Sequence, residues 1–147
     1  MEKESLLPYI AGMVESSGSI TFRKDKRTKN SVYPVITIRS YGSENLKSIK
    51  EIFGGSIIKK GSRWEIVLSH RKAYNLLKNI YSFLIIKKEE ADLVFELYSD
   101  RFTKKYEPER KRKIVKKMLK LKSFRLKSIK NGESSVLRWL EEIDGNP

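Results

Sequence analysis

The 147-residue sequence contains no cysteine. Disulfides and cysteine-ligated metals are therefore excluded. A single histidine, His70, rules out a multi-histidine zinc site. No apolar run approaches the roughly 20 residues needed to span a bilayer. The opening stretch "MEKESLLPYI" has neither a long apolar region nor a small-residue cleavage pattern. These absences predict a soluble cytoplasmic protein without membrane association, nucleoid-associated, with an organelle as the alternative location. Acidic residues are also scarce, 18 against 32 Lys and Arg, which leaves a net charge of +14. Such an excess points to a polyanionic partner, nucleic acid before anionic membrane. The charge is concentrated: residues 101–130 hold fourteen basic residues against Glu107 and Glu109, and so carry +12 of the +14. A focused patch argues for a binding surface over general solubility.

Periodicity orders the rest of the chain. Residues 5–16 read as a helix with Leu6, Leu7, Ile10, Ala11, Met13 and Val14 on its apolar stripe, Ser5 as N-cap and Gly18 as its stop. Strands 19–24 and 31–40 follow around a charged loop at 25–30, and Pro34 predicts an edge strand or a bulge. A helix over 42–55, capped by Ser43, precedes a hairpin over 56–69 that turns at Gly61-Ser62. Helices are expected at 70–84, 85–102, 108–122 and 135–143. The order predicts a single α+β domain over 1–147. Its core, about 5–102, holds a four-stranded antiparallel sheet with helices on one face. A basic helical extension follows at about 103–147.

The other sheet face would then be open. Alternation places Ile20, Phe22, Ile36, Ile38, Trp64, Ile66 and Leu68 inward. Thr21, Arg23, Tyr33, Thr37, Arg39, Arg63 and Glu65 take the opposite parity, with Lys59 and Lys60 beside the turn. Basic, polar and aromatic side chains of this kind are suited to base edges and phosphates. The backbone contacts are expected from Lys59 and Lys60 and from the basic residues of 104–122, including Lys104, Lys105, Arg110, Arg112 and Lys116.

Gly12 is costly inside a helix, by about 1 kcal/mol relative to alanine. It lies four residues from Ser16 and next to Ala11, so a small-residue stripe is available for close helix approach. That approach is either an internal crossing or a symmetric dimer contact.

"IAGMVESSGSI" (10–20) resembles the signature of the LAGLIDADG homing endonucleases. The likeness extends over about 5–102 through the α-β-β-α-β-β-α order and the blocks "GGSIIKKGSRWEIVLS" and "FLIIKKEEADLVFEL". The resemblance implies a saddle-shaped sheet astride double-stranded DNA and a homodimer packed through the motif helices at Ala11, Gly12 and Ser16. It also implies Mg2+ held by acids at the helix ends, with a basic residue near the scissile phosphate, here Lys87. One position departs: Ser17 stands where the family carries its metal-binding acid, which leaves Glu15 as the nearby catalytic and metal-binding candidate. A hydroxyl is a poor ligand for a hard cation. The expected function is sequence-specific binding of double-stranded DNA with lost or reduced cleavage. The alternatives are an active Mg-dependent homing endonuclease making staggered double-strand cuts, and a maturase that binds intron RNA.

Overall fold

The computed structural model describes residues 3–24, 32–102 and 108–125. The expected loop at 25–30, Lys104, Lys105 and the helix expected at 135–143 lie outside the described residues. Two compact units are present, Met1–Ala91 and Asp92–Pro147.

In the first unit, α1 (Lys3–Ser17) leads into the hairpin β1 (Gly18–Lys24) and β2 (Val32–Ser40). After α2 (Glu44–Phe53) comes the hairpin β3 (Ser56–Lys60) and β4 (Arg63–Ser69), then α3 (Arg71–Ile80) and a 3-10 turn, Tyr81–Phe83. α4 (Lys88–Phe102) starts in this unit. The strands form one antiparallel sheet in the order β1-β2-β4-β3.

The register follows from apolar parity. Ile20, Ile36 and Leu68 are directly opposite one another, as are Ile38, Ile66 and Ile57. α1, α2 and α3 cover this face with Ile10, Val14, Leu46, Ile49, Leu76 and Leu77, all fully buried. The two-residue turn is at Gly61-Ser62, and Gly61 takes the left-handed conformation (φ 62°) that the turn requires.

Several local expectations are corrected. α1 begins at Lys3, so Ser5 stands within its first turn and does not cap it. Ser43 does flank α2, but with helical dihedrals and no side-chain capping bond; its carbonyl accepts from Lys47 N at 3.0 Å. The helix expected over 70–84 is shorter, because His70 has φ 55° and the chain tightens into the 3-10 turn after Ile80. The helix expected from 85 starts at Lys88, because residues 85–87 are bonded to the end of α1. Pro34 is in a central strand. Its carbonyl accepts from His70 N at 3.1 Å, one residue beyond the end of β4. A strand residue's N and C=O point the same way, so the missing N–H faces the place where the partner ladder has ended.

Gly18 joins α1 to β1 with no spare room. A Cβ there would sit 2.8 Å from Val14 Cα, 2.9 Å from Val14 O and 3.2 Å from Thr37 O, all backbone atoms. Gly18→Ala is expected to destabilise by about 1–3 kcal/mol, the usual scale of overpacking, read as a lower urea midpoint with unchanged slope. An unchanged midpoint would refute the close approach.

In the second unit, α5 (Pro108–Arg125) buries Ile114, Val115, Met118 and Leu119. Arg110, Lys113, Lys117 and Lys120 are exposed at helical spacing, which makes one cationic stripe. No helix among the described residues is long and apolar enough to cross a membrane.

Candidate nucleic-acid interface

The outer face of the sheet carries the residues expected there, in register. Arg23 is opposite Tyr33, Thr21 opposite Val35, Thr37 between Ser19 and Val67, and Arg39 opposite Glu65. Their accessibility differs from the expectation of a uniformly open surface. Arg23, Arg39 and Arg63 are exposed, and Thr21 and Tyr33 are half-buried. Thr37 and Glu65 are buried, at 7% and 6% exposure. Glu65 lies on an inner strand between two longer cations: Arg39 Nε is 3.5 Å from Oε2 and Lys60 Nζ is 3.5 Å from Oε1. It therefore orients Arg39 and Lys60 and presents little of itself. Lys59 has the inward parity, opposite Trp64, and its ammonium is 5.5 Å from the Trp64 ring centroid. Lys59 and Lys60 thus leave β3 on opposite faces. Tyr33 stacks on His70, with ring centroids 4.3 Å apart and planes 11° apart. Along α5, Arg110 is exposed while Arg112 and Lys116 are half-buried.

The end of α1 carries the motif positions Glu15, Ser16 and Ser17. Ser16 and Ser17 donate back into their own helix, Ser16 Oγ to Gly12 O at 2.8 Å and Ser17 Oγ to Met13 O at 3.2 Å. Glu15 turns toward the segment before α4. Its Oε1 accepts from the backbone N of Ile85 and, at 3.0 Å, of Ile86; its Oε2 accepts from Ile86 N at 3.0 Å and Lys87 N at 3.1 Å. Lys87 reciprocates, with Nζ donating to Val14 O at 2.7 Å, Glu15 O at 3.0 Å and Gly18 O at 2.7 Å. An ammonium has three protons, and three carbonyls receive them. Both candidate catalytic groups thus bond to the ends of α1 and of the 85–87 turn.

Beside Ser17 a cleft of about 390 Å³ opens. Ser17, Arg39, Ser40, Tyr41, Asn45 and Arg63 supply its polar walls, and among the described residues no carboxylate lines it. Sequence reasoning missed Ser40, Tyr41 and Asn45. The last two follow the end of β2, where strand parity no longer applies, so no periodic signal marks them.

The described residues of one chain do not by themselves fit a divalent cation. Mg2+ wants hard anionic oxygens in near-octahedral array. Both Glu15 oxygens already accept backbone N–H groups, Ser17 is neutral, and the cleft beside it is walled by two guanidinium groups. Among the described residues no group of three His, Asp or Glu is placed to hold a metal.

Of the dimer-stripe residues, Gly12 and Ser16 are exposed. Ala11 is 1% exposed and belongs to the core of its own chain, a correction to its expected place at an interface. Its position is about 100° around the helix from Gly12.

No model of a known protein family matches the sequence, and no curated protein matches it either. Solved structures do. The homing endonuclease I-CvuI, crystallised with its target in the presence of calcium, superposes with a TM-score of 0.67 over 80% of this chain and 82% of its own, at 18% identity. The chain has the LAGLIDADG homing-endonuclease fold. Two further LAGLIDADG-fold structures agree at 22% identity. The archaeal intron-encoded I-Vdi141I, complexed with DNA, matches over 97% of this chain and 99% of its own with a TM-score of 0.58. I-SmaMI, bound to cleaved DNA, matches over 80% of this chain but 42% of its own, with a TM-score of 0.60. The fold therefore agrees with the family whose motif the sequence resembles.

Proposed function

We propose that this protein is a homodimeric binder of double-stranded DNA whose cleavage activity is lost or strongly reduced. The observation that carries the reading is the end of α1, where Glu15 already accepts backbone N–H groups through both oxygens and the neighbouring Ser17, which the motif resemblance puts at the metal-binding position, is neutral. The fold and the exposed outer-face cations Arg23, Arg39 and Arg63 support DNA as the ligand. The homing endonucleases it resembles in fold include complexes with DNA. Phosphodiester hydrolysis at neutral pH calls for a metal to lower the pKa of water and to offset phosphate charge. Without an anionic cradle, Mg2+ prefers bulk water.

The test incubates the full chain with the DNA that flanks its gene, in Mg2+ and in Mn2+, and separates products by gel. The expected result is a salt-sensitive shifted complex and no cut strands. Staggered double-strand cuts in Mg2+ would overturn the reading in favour of an active endonuclease. Tighter binding to the intron transcript than to the duplex would favour the maturase reading.

A further inference from the structure

The cleft beside Ser17 has the donor set of an anion site. Arg63 is held in place at two points: its Nη2 donates to Tyr41 Oη at 2.9 Å, and its guanidinium carbon is 4.9 Å from the Tyr41 ring centroid. One of its five N–H groups is used in this way, and the planar fork is otherwise free to face a ligand. Arg39 approaches Glu65 through Nε, and its side chain stays 62% exposed. On the neutral wall, Ser40 Oγ donates to Asn45 Oδ1 at 3.0 Å, and Asn45 Nδ2 donates to Tyr9 Oη at 3.5 Å. Glu65 offsets part of the charge, but Arg39, Lys60 and Arg63 outnumber it. Two guanidinium groups and the Tyr41 phenolic O–H, around a cleft that no carboxylate among the described residues lines, match a phosphate, which takes paired N–H donors from arginine and rejects acids.

We infer that the cleft formed by Ser17, Arg39, Tyr41 and Arg63 is a metal-free clamp for one backbone phosphate of the bound duplex. The inference rests on the DNA-binding reading above and adds the place where the strand is gripped. A clamp of this kind takes the position of a metal cradle and converts a cutting centre into a holding one. No bond is made or broken there. Ser17 is part of the adaptation: an aspartate at that position would pair with the arginines and displace the phosphate.

The experiment measures binding of the full chain to a short mixed-sequence duplex across a salt series. Each phosphate neutralised contributes about 0.9 to the slope of log K against log salt. Arg63→Gln and Tyr41→Phe are read beside a control, Lys50→Gln, which changes an exposed cation on α2. Arg63→Gln is expected to flatten the slope by about one unit, Tyr41→Phe to weaken binding with a smaller slope change, and Lys50→Gln to do neither. Arginine side-chain NMR gives a second readout, in which inorganic phosphate should shift the Arg63 resonance and Mg2+ should not.

A wild-type slope that Arg63→Gln leaves unchanged would overturn the clamp while the DNA-binding reading stands. A wild type that does not bind duplex in a salt-dependent way would overturn that reading, and the clamp with it. An Arg63 resonance moved by inorganic phosphate in a protein that ignores DNA would mark a site for free phosphate, which also overturns the clamp. Mg2+-induced shifts at Ser17 would refute the metal-free character.

Discussion

Gly12→Leu is expected to split a dimer into well-folded monomers. The two halves of this result have separate causes. Within one chain, a Cβ at Gly12 meets nothing within 4 Å, so a side chain there is accommodated without strain. Removing a helix-interior glycine should even stabilise the isolated chain, by about 0.5–1 kcal/mol for alanine. A natural helix that keeps the less stable residue at an open position needs a reason from outside the chain. Gly12 and Ser16 share an exposed stripe with Ser5 and Tyr9, and Tyr9 leaves half of its surface in solvent. Ile85 and Ile86, bonded through their backbone to Glu15 at the end of the same helix, are 85% and 63% exposed. Exposed apolar side chains at this density mark an association surface. Two copies of α1 packed at Gly12 would bring their backbones close, and leucine would hold them apart.

The measurement is sedimentation at micromolar concentration beside thermal melting at several concentrations. A dimer melts at higher temperature as concentration rises, and a monomer does not. Wild type should show the dependence and Gly12→Leu should lose it while keeping native circular dichroism. Gly12→Ala sharpens the test, because the single-chain effect is stabilising and the interface effect is not. A wild-type monomer, with and without DNA, would overturn the dimer, and a variant with wild-type mass and melting would move the seam away from α1.

How far the sequence alone reached can be traced to the range of each interaction. Strand parity depends on residues two apart, and the placement of Ile20, Ile36, Ile38, Ile66 and Leu68 on one face is what alternation predicts. The hairpin turn at Gly61-Ser62 is equally local, because the glycine supplies the backbone conformation. Burial of Glu65 is different. It depends on the lengths of Arg39 and Lys60 on two neighbouring strands, and parity alone cannot distinguish it from exposed Arg63. Pro34 misleads for a related reason: the rule against proline in a central strand assumes that the partner strand continues, and β4 ends one residue short. The roles of Glu15 and Lys87 were the least legible. Their partners are some 70 residues away, and the same two residues that the resemblance assigns to chemistry also serve the backbone.

Lys87→Met is accordingly expected to unfold the protein more readily. The last carbonyls of a helix have no partner within it. α1 ends where β1 begins without a loop, so water and turn residues have little room to satisfy them, and Lys87 Nζ serves Val14, Glu15 and Gly18 at once. A cation also matches the negative end of the helix dipole. Methionine keeps the stem's packing and removes every donor. Hydrogen bonds to a charged group contribute about 1.5–3 kcal/mol, and partly buried carbonyls left unpaired add to the loss. A destabilisation of about 2–4 kcal/mol follows, a large share of a small domain's total. Glu15→Gln should cost less, because the amide retains one acceptor oxygen for the 85–87 backbone. The two changes should not add. Each loosens the junction between α1 and the 85–87 turn, so the double variant should lose less than the two single losses together. Urea melts of the four proteins provide the cycle. Wild-type stability in Lys87→Met would show that the ammonium is dispensable to the fold, and would return Lys87 to consideration as a group kept for phosphate chemistry.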